Sequence, residues 1–424
     1  MENRRSVVLL TVDSIRADHC GFMGYERDTT PTLDALAADG LVFENAVATA
    51  PATHGSATTF LTGEHPVERP GSSGTSGSDM QGHIRGHMNA RESVAEQFSR
   101  AGYETAAFTA NPWTSRFFGF DDGFDHFQDF MDEDVSRGLF EDADADSGVA
   151  SLVANAMNWW RGQNMFMSWE AFYDEIVEWT ESADEPYFLW IFLVDVHLPY
   201  LPGGAYQTQS KLATYPANLW LFSGRDADRP LESWSHDVLT TAYDNTIRYT
   251  DEFVDRLTTD LEDDDPLLVF HGDHGDAFGE HGMYGHGRQL YEELVHVPLL
   301  VANGPTDRVT EPLSLRRLPG LLRSLATDGD YERHTEPWAV SRNRMPRVGV
   351  RGEEWKYIWS PDRNELYDLT AGEDDDLLVT ESTDRRTREL QSIGRDIEAA
   401  YHADKAERER IVEAAQTVAA EERV

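Results

Sequence analysis

Residues Val7–Val12 form an apolar run, the pattern of a strand covered on both faces of a parallel sheet. Runs at 105–110, 187–194 and 267–271 predict further buried strands, and 41–48 predicts one more. Helical patterns lie between them. Thr30-Pro31 opens one that continues through Leu33, Leu36 and Ala37 to a stop at Gly40. Another spans 55–61 with Gly63 beyond it, a third spans 90–101 before Gly102, and a long one covers about 238–262. Two amphipathic helices are predicted around 150–160 and 166–181. Residues 70–90, rich in Gly, Ser and His and without periodicity, read as a loop. Residues 129–150 are acidic and poorly patterned, and 202–234 read as a long excursion. Past about residue 335, short runs at 347–351 and 354–359 predict antiparallel hairpins, and 385–422 a charged helix. The alternation predicts an α/β fold. A large, mostly parallel sheet flanked by helices would occupy residues 1–335, and a small antiparallel sheet with a terminal helix residues 336–424.

Composition changes this picture in one respect. The formal net charge is −41, and only Lys211, Lys356 and Lys405 are lysines. Self-repulsion of that size opposes compaction at low salt, so the pattern suggests a halophilic protein whose surface concentrated cations screen. An acidic face for a basic partner is the other reading. No basic stripe offers itself to a phosphate backbone, which argues against nucleic acid as a partner. Cys20 is the single cysteine, excluding an intramolecular disulfide and a cysteine-rich metal site. Arg4-Arg5 before the first apolar run resembles a short export signal, but the run ends at Asp13 within a few residues and reads as a core strand. No apolar stretch approaches the roughly 20 residues that span a bilayer, so the expected location is the cytoplasm.

Ligands of open α/β sheets bind beyond the carboxyl ends of the strands, and polar residues recur there. The first strand delivers Asp13, the second leads to Thr53 at a helix entry, the strand at 187–194 delivers His197, and that at 267–271 delivers Asp273 and His274. Carboxylates, an imidazole and a hydroxyl on one rim form a mixed O/N donor set for a divalent cation. Such a cation lowers a hydroxyl's pKa and makes threonine a usable nucleophile. Each residue also has a plain structural reading, Asp as a turn cap and Thr53 as a helix N-cap.

Longer strings carry a resemblance. Thr11-Val12-Asp13-Ser14-Ile15-Arg16-Ala17-Asp18, Gly24-Tyr25, Thr30-Pro31-Thr32-Leu33-Asp34-Ala35-Leu36-Ala37, Val42-Phe43-Glu44-Asn45-Ala46 and Leu61-Thr62-Gly63 are similar to the opening of a sulfatase. So are His197-Leu198-Pro199-Tyr200, Gly272-Asp273-His274-Gly275, Phe278-Gly279-Glu280-His281-Gly282, Tyr291-Glu292-Glu293 and Val297-Pro298-Leu299. Trp355-Lys356-Tyr357 and Glu365-Leu366-Tyr367-Asp368-Leu369 match the small C-terminal sheet of that family. The chain thus resembles the alkaline phosphatase and sulfatase superfamily in order along most of its length.

The departures bear on chemistry. Sulfatases carry a cysteine, matured to formylglycine, in a C-x-P-S-R pattern. Aligned on Leu61-Thr62-Gly63, the cysteine position holds Thr53, the proline Gly55 and the arginine Ala57. Formylglycine cannot be made from threonine, and Cys20 lies in another segment. Threonine nucleophiles are what the superfamily's phosphodiesterases, nucleotide pyrophosphatases and phosphoglycerol transferases use. Ser14 stands where sulfatases usually have a second aspartate, which favours a four-ligand site for manganese, zinc or magnesium over calcium. His286 stands for the family's lysine.

The resemblance implies one divalent metal held by Asp13, Thr53, Asp273 and His274, with Thr53 as nucleophile and His197 and His286 as acid–base groups. Asn111 and His281 are candidate substrate contacts, although His281 also fits a structural turn. Arg16 reads as a structural ion-pair partner, and His83 and His87 as members of a loop able to fold over the site. Trp159, Trp160, Trp169 and Trp179, at helical spacings, read as core or as a sugar wall. The expected activity is hydrolysis or transfer of phosphodiesters. Sulfate-ester hydrolysis through the unmodified hydroxyl is one alternative, and a catalytically silent binder of anionic glycans another. The substrate is a small-molecule or glycan ester in either active case.

Overall fold

The computed structural model describes residues 4–66, 77–130, 166–224, 233–287, 289–343, 347–360 and 364–370, with isolated positions of a C-terminal helix. The helix expected at 150–160, Trp159 and Trp160, and nearly all of the charged helix at 385–422 lie outside the described residues.

Strands β1 (Val7–Val12), β2 (Leu41–Phe43), β3 (Ala46–Val47), β4 (Glu104–Thr109), β5 (His126–Asp129), β6 (Tyr187–Leu193) and β7 (Leu267–Gly272) appear in chain order. The hairpin β8 (Ala277–Phe278) and β9 (Tyr284–Gly285) follows, then β10 (Leu299–Ala302), β11 (Asp307–Val309) and β12 (Leu313–Ser314). Eight of them make the central sheet in the order β11-β2-β10-β7-β1-β6-β4-β5. All neighbours are parallel except β10, which runs antiparallel to β2 and β7. The unbroken apolar runs are explained by position: β1, β6 and β7 sit side by side at the centre with every residue buried, as strands covered on both faces must be. The 41–48 segment is not one strand. It breaks at Glu44-Asn45, so β2 stays in the main sheet while β3 pairs with β12.

Helix α1 (Pro31–Ala38) starts with proline in its first turn, and α2 (Thr53–Thr62) stops at Gly63, whose φ of 76° closes the helix in the left-handed region. The loop expected over 70–90 is contradicted. Residues Gly77–Met88 form a helix, α3, with Ile84 and Met88 buried. Met80, Ile84 and Met88 repeat every four residues and make one apolar stripe. Helix α4 (Val94–Arg100) opens with a capping box, Ser93 accepting from the Glu96 amide and Glu96 from that of Ser93. The 166–181 segment is a short 3-10 turn followed by α5 (Tyr173–Ser182), and the excursion after 202 contains α6 (Lys211–Gly224). Helix α7 (Ser233–Asp260) packs against both α1 and α6.

The small sheet β13 (Ala339–Asn343), β14 (Arg347–Arg351), β15 (Trp355–Trp359) and β16 (Asn364–Asp368) is a four-stranded antiparallel meander. It is tied to the main unit by Ser341, whose hydroxyl donates to the Ala48 carbonyl, and by Glu292, which bonds both Arg351 and Lys356.

One packing detail positions the chemistry. Phe60 of α2 meets Trp190 of β6 and His271 of β7 edge-on, at 6.2 and 4.9 Å. Under that ring the Trp190 indole donates to the Thr11 hydroxyl, itself 2.8 Å from His271 Nε2. Nδ1 of His271 donates to the Gly272 carbonyl, so Nε2 accepts from Thr11. Burial lowers the His271 pKa to about 4 and keeps it neutral. A satisfied polar chain inside an apolar layer fixes α2 on the sheet, and with it Thr53 above the strand ends.

Candidate metal centre and nucleophile

Asp13 follows β1 directly, and Asp273 and His274 follow β7, the neighbouring strand. Thr53 is the first residue of α2. Its N-cap is Ala52, with no side-chain cap bond, so Thr53 does not cap its own helix. Its hydroxyl lies 3.3 Å from His274 Nε2. The same nitrogen is 3.5 Å from Asp13 Oδ1 and 3.6 Å from Asp273 Oδ2. Ligand atoms of Asp13, Asp273 and His274 all fall within 4.8 Å of one another, and the three residues are buried.

Ser14 joins the two carboxylates. Its amide donates to Asp273 Oδ1 and its hydroxyl to Asp13 Oδ1, from a left-handed backbone with φ of 62°. A non-glycine residue there costs about 1–3 kcal/mol. The Tyr243 hydroxyl, which donates to the Ser14 carbonyl, helps to hold the turn. Thus the residue that departs from the second aspartate orients the ligands that remain.

These residues fit a cation. Nδ1 of His274 donates to the Gly275 carbonyl, so in the neutral ring Nε2 turns a lone pair toward two carboxylates. Oδ2 of Asp273 is buried with no hydrogen-bond partner among the described residues. Burial, and for Asp13 also the Asp273 charge, pushes both carboxyls up to about 7. Acceptors facing acceptors in a dry site is the arrangement a divalent ion relieves.

His286 approaches from the β8–β9 hairpin, its ring 4.4 Å from that of His274. Its Nδ1 donates to Asp276 Oδ1 at 2.6 Å, while the Tyr200 hydroxyl donates to Asp276 Oδ2 at 2.6 Å. His197 packs edge-on against His286 at 5.2 Å and donates from Nδ1 to the Leu198 carbonyl. Asp276 and Tyr200 were given no role by sequence reasoning. The hairpin register makes the pairing: Ala277 faces Gly285 and Phe278 faces Tyr284, which sets 276 opposite 286.

Other candidates fall elsewhere. Asn111 donates to Asp13 Oδ2 at 2.5 Å and accepts from the Trp113 amide, so it orients the carboxylate of a candidate ligand. His281 stacks on Tyr291 at 3.7 Å and faces Tyr367 of the small sheet. Arg16 pairs with Asp18 and Glu280. His87 is buried on α3 against the Thr62 hydroxyl, and His83 lies on the same helix. Trp169 is core, its indole donating to the Tyr249 carbonyl, and Trp179 packs edge-on against Tyr187. Among the described residues, no helix is long and apolar enough to cross a membrane.

Comparison with known proteins bears on the family and the fold. The family model described as Sulfatase matches residues 5–311. A choline-sulfatase of Rhizobium meliloti is 31% identical over 158 residues, which are 31% of this chain and 31% of that protein. The phosphatidylethanolamine transferase Mcr-1 of Escherichia coli is 25% identical over 68% of this chain and 46% of its own length. These matches span about a third to a half of the relatives. Among solved structures, a phosphonate monoester hydrolase of Agrobacterium radiobacter superposes with a TM-score of 0.63 at 15% identity, covering 96% of both chains, a likeness of fold. The matched model spans most of the chain and contains every residue of the metal cluster, so the chain belongs to the sulfatase family.

Proposed function

We propose that the protein is a divalent-metal-dependent hydrolase or transferase of phosphodiesters with Thr53 as nucleophile. The observation that carries this reading is a threonine hydroxyl 3.3 Å from His274 Nε2, inside a buried Asp13/Asp273/His274 cluster and at the sequence position of the sulfatase cysteine. Cys20 is buried, with its thiol donating to the Arg16 carbonyl, and supplies no aldehyde precursor there.

Asp13, Asp273, His274 and Thr53 would hold the ion. A divalent cation bound there supplies Lewis acidity, lowering a hydroxyl's pKa and offsetting charge on phosphoryl oxygens. The residues do the rest. Thr53 gives its hydroxyl proton to a histidine as Oγ1 attacks phosphorus, the bond to the departing alcohol oxygen breaks, and the alkoxide takes that proton from the same histidine, leaving a phosphorylated Thr53. His286 suits that role, because its Nδ1–H is committed to Asp276, which leaves Nε2 unprotonated in the neutral ring and able first to accept the proton and then to return it. Water or a second alcohol then attacks phosphorus, its proton passes to the same histidine, the bond from phosphorus to Thr53 Oγ1 breaks, and that oxygen takes the proton to restore the hydroxyl. The N-terminus of α2 favours the anionic group.

Sulfate-ester hydrolysis through the same hydroxyl is the second reading, favoured by the family match. An aryl phosphodiester and an aryl sulfate with one common leaving group separate the two. Faster cleavage of the diester, lost in Thr53→Ala and partly kept in Thr53→Ser, is expected. A preference for the sulfate would overturn the assignment of substrate class.

A further inference from the structure

Next to His197 lies a cavity of about 220 Å³ between the 166–170 segment, the loop after β6, and helices α6 and α7. His197 lines it and also packs against His286, so the cavity opens where the organic part of a bound ester would extend. Its wall carries Asp195, whose Oδ1 accepts from the Trp169 amide at 3.4 Å. Oδ2 of Asp195 is shut off from solvent and has no hydrogen-bond partner among the described residues. A buried carboxylate oxygen left so is costly unless a donor arrives. The Glu170 carboxylate adds a second negative charge on the same wall.

Lys211, the one Lys or Arg lining the cavity among the described residues, does not supply the missing partner. The Lys211 ammonium lies over the Tyr215 ring, 5.9 Å from its centroid, and Asp195 Oδ2 remains unbonded. Tyr249, whose ring the unsubstituted Gly203 approaches so closely that a Cβ would come within 2.6 Å of it, and Phe166 add aromatic surface. Carboxylates together with aromatic surface are what a small ammonium group selects.

We propose that this cavity binds a cationic amino group on the organic arm of the ester, with Asp195 as its counter-charge. The inference deepens the reading of the Thr53 centre as an ester-cleaving site and rests on it. Burial, with the Glu170 charge a lesser contribution, pushes the Asp195 carboxyl up to about 7, and an ammonium beside it favours the ionised form.

The test is calorimetric, on the full chain dialysed against manganese(II). O-phosphoethanolamine is compared with propyl phosphate, and ethanolamine O-sulfate with propyl sulfate. The ammonium member of a pair should bind about 10-fold tighter or more, and the ratio should fall toward one in Asp195→Asn and narrow in Glu170→Gln. The ratio is the readout, with the melting temperature of each variant confirming folding. Equal affinities within the pairs, a ratio unchanged in Asp195→Asn, or binding of none of the four overturns the proposal. Binding of the sulfates alone, with the ammonium preference intact, would sink the phosphodiester reading and leave this cavity assignment standing.

Discussion

Two clusters of charge in this molecule, one half-buried and one fully buried, behave oppositely. At Glu292, burial would raise the carboxyl pKa, but Arg351 and Lys356 bond it at 2.8 and 2.7 Å and hold it well below the usual carboxylate range. At Asp13 and Asp273, burial, joined at Asp13 by the Asp273 charge, pushes the carboxyls up to about 7, and an Asp273 oxygen stays unbonded. Glu292 is half-buried against two buried cations, while Asp13 and Asp273 are removed from water. The first brings its own cations and joins the small sheet to the main one. The second lacks cationic compensation of that kind and stands at the strand ends beside a hydroxyl. Compensated buried charge marks architecture, while uncompensated charge marks a place for a ligand.

Breaking the uncompensated cluster should have the largest effect on rate. Thr53→Ala removes nucleophile and ligand together and should lower kcat for an aryl phosphodiester by ~10³-fold or more, with Thr53→Ser retaining a measurable part. Steady-state kinetics of the two variants check this, and near-normal turnover in Thr53→Ala would contradict it. Chelation with verified metal removal should abolish turnover, and adding manganese, zinc or magnesium back singly should restore it; full activity in the stripped protein would dissolve the contrast between the clusters.

Breaking the compensated cluster should cost stability. Glu292→Ala leaves Arg351 and Lys356 buried without their counter-charge, a loss of about 3–5 kcal/mol, measurable by denaturant unfolding. The pH dependence has a definite sign. The Glu292 pKa lies below its ordinary 4.5, so its contribution is fully present above that value and fades as pH falls below it. The stability gap between wild type and Glu292→Ala should therefore shrink in acid. A gap that widens in acid would reverse the assignment.

A smaller effect sharpens the comparison. Among the described residues, Asp13 is the candidate ligand that Asn111 hydrogen-bonds. Asn111→Ala should raise the metal concentration needed for half-maximal activity by about 10–100-fold, while saturating metal restores most of kcat. An unchanged metal dependence would show that Asp13 needs no help to stay oriented.

The sequence carried the central sheet because its strands are buried on both faces, leaving runs that no other element mimics, as in Val7–Val12 and β6. The polar residues that end those runs, Asp13, Asp273 and His274, were legible for the same reason. Helix α3 was obscured by Gly77, Gly82 and Gly86, which lower helix propensity and masked the stripe of Met80, Ile84 and Met88. Asp276 escaped notice because its pairing with His286 is a property of hairpin register, not of either residue's local sequence. Asn111 and His281 both belong to motif-like strings. Only tertiary packing separates the one that reaches a ligand from the one that stacks on Tyr291.

The most direct test of Thr53 as nucleophile is the stereochemical course at phosphorus. A phosphorothioate diester of known configuration, hydrolysed in isotopically labelled water, reports how many in-line displacements have occurred. Attack by Thr53 followed by attack of water gives two inversions, so overall retention is the predicted result. Overall inversion would mean that water reaches phosphorus directly, and that the hydroxyl beside His274 is a ligand without being the nucleophile.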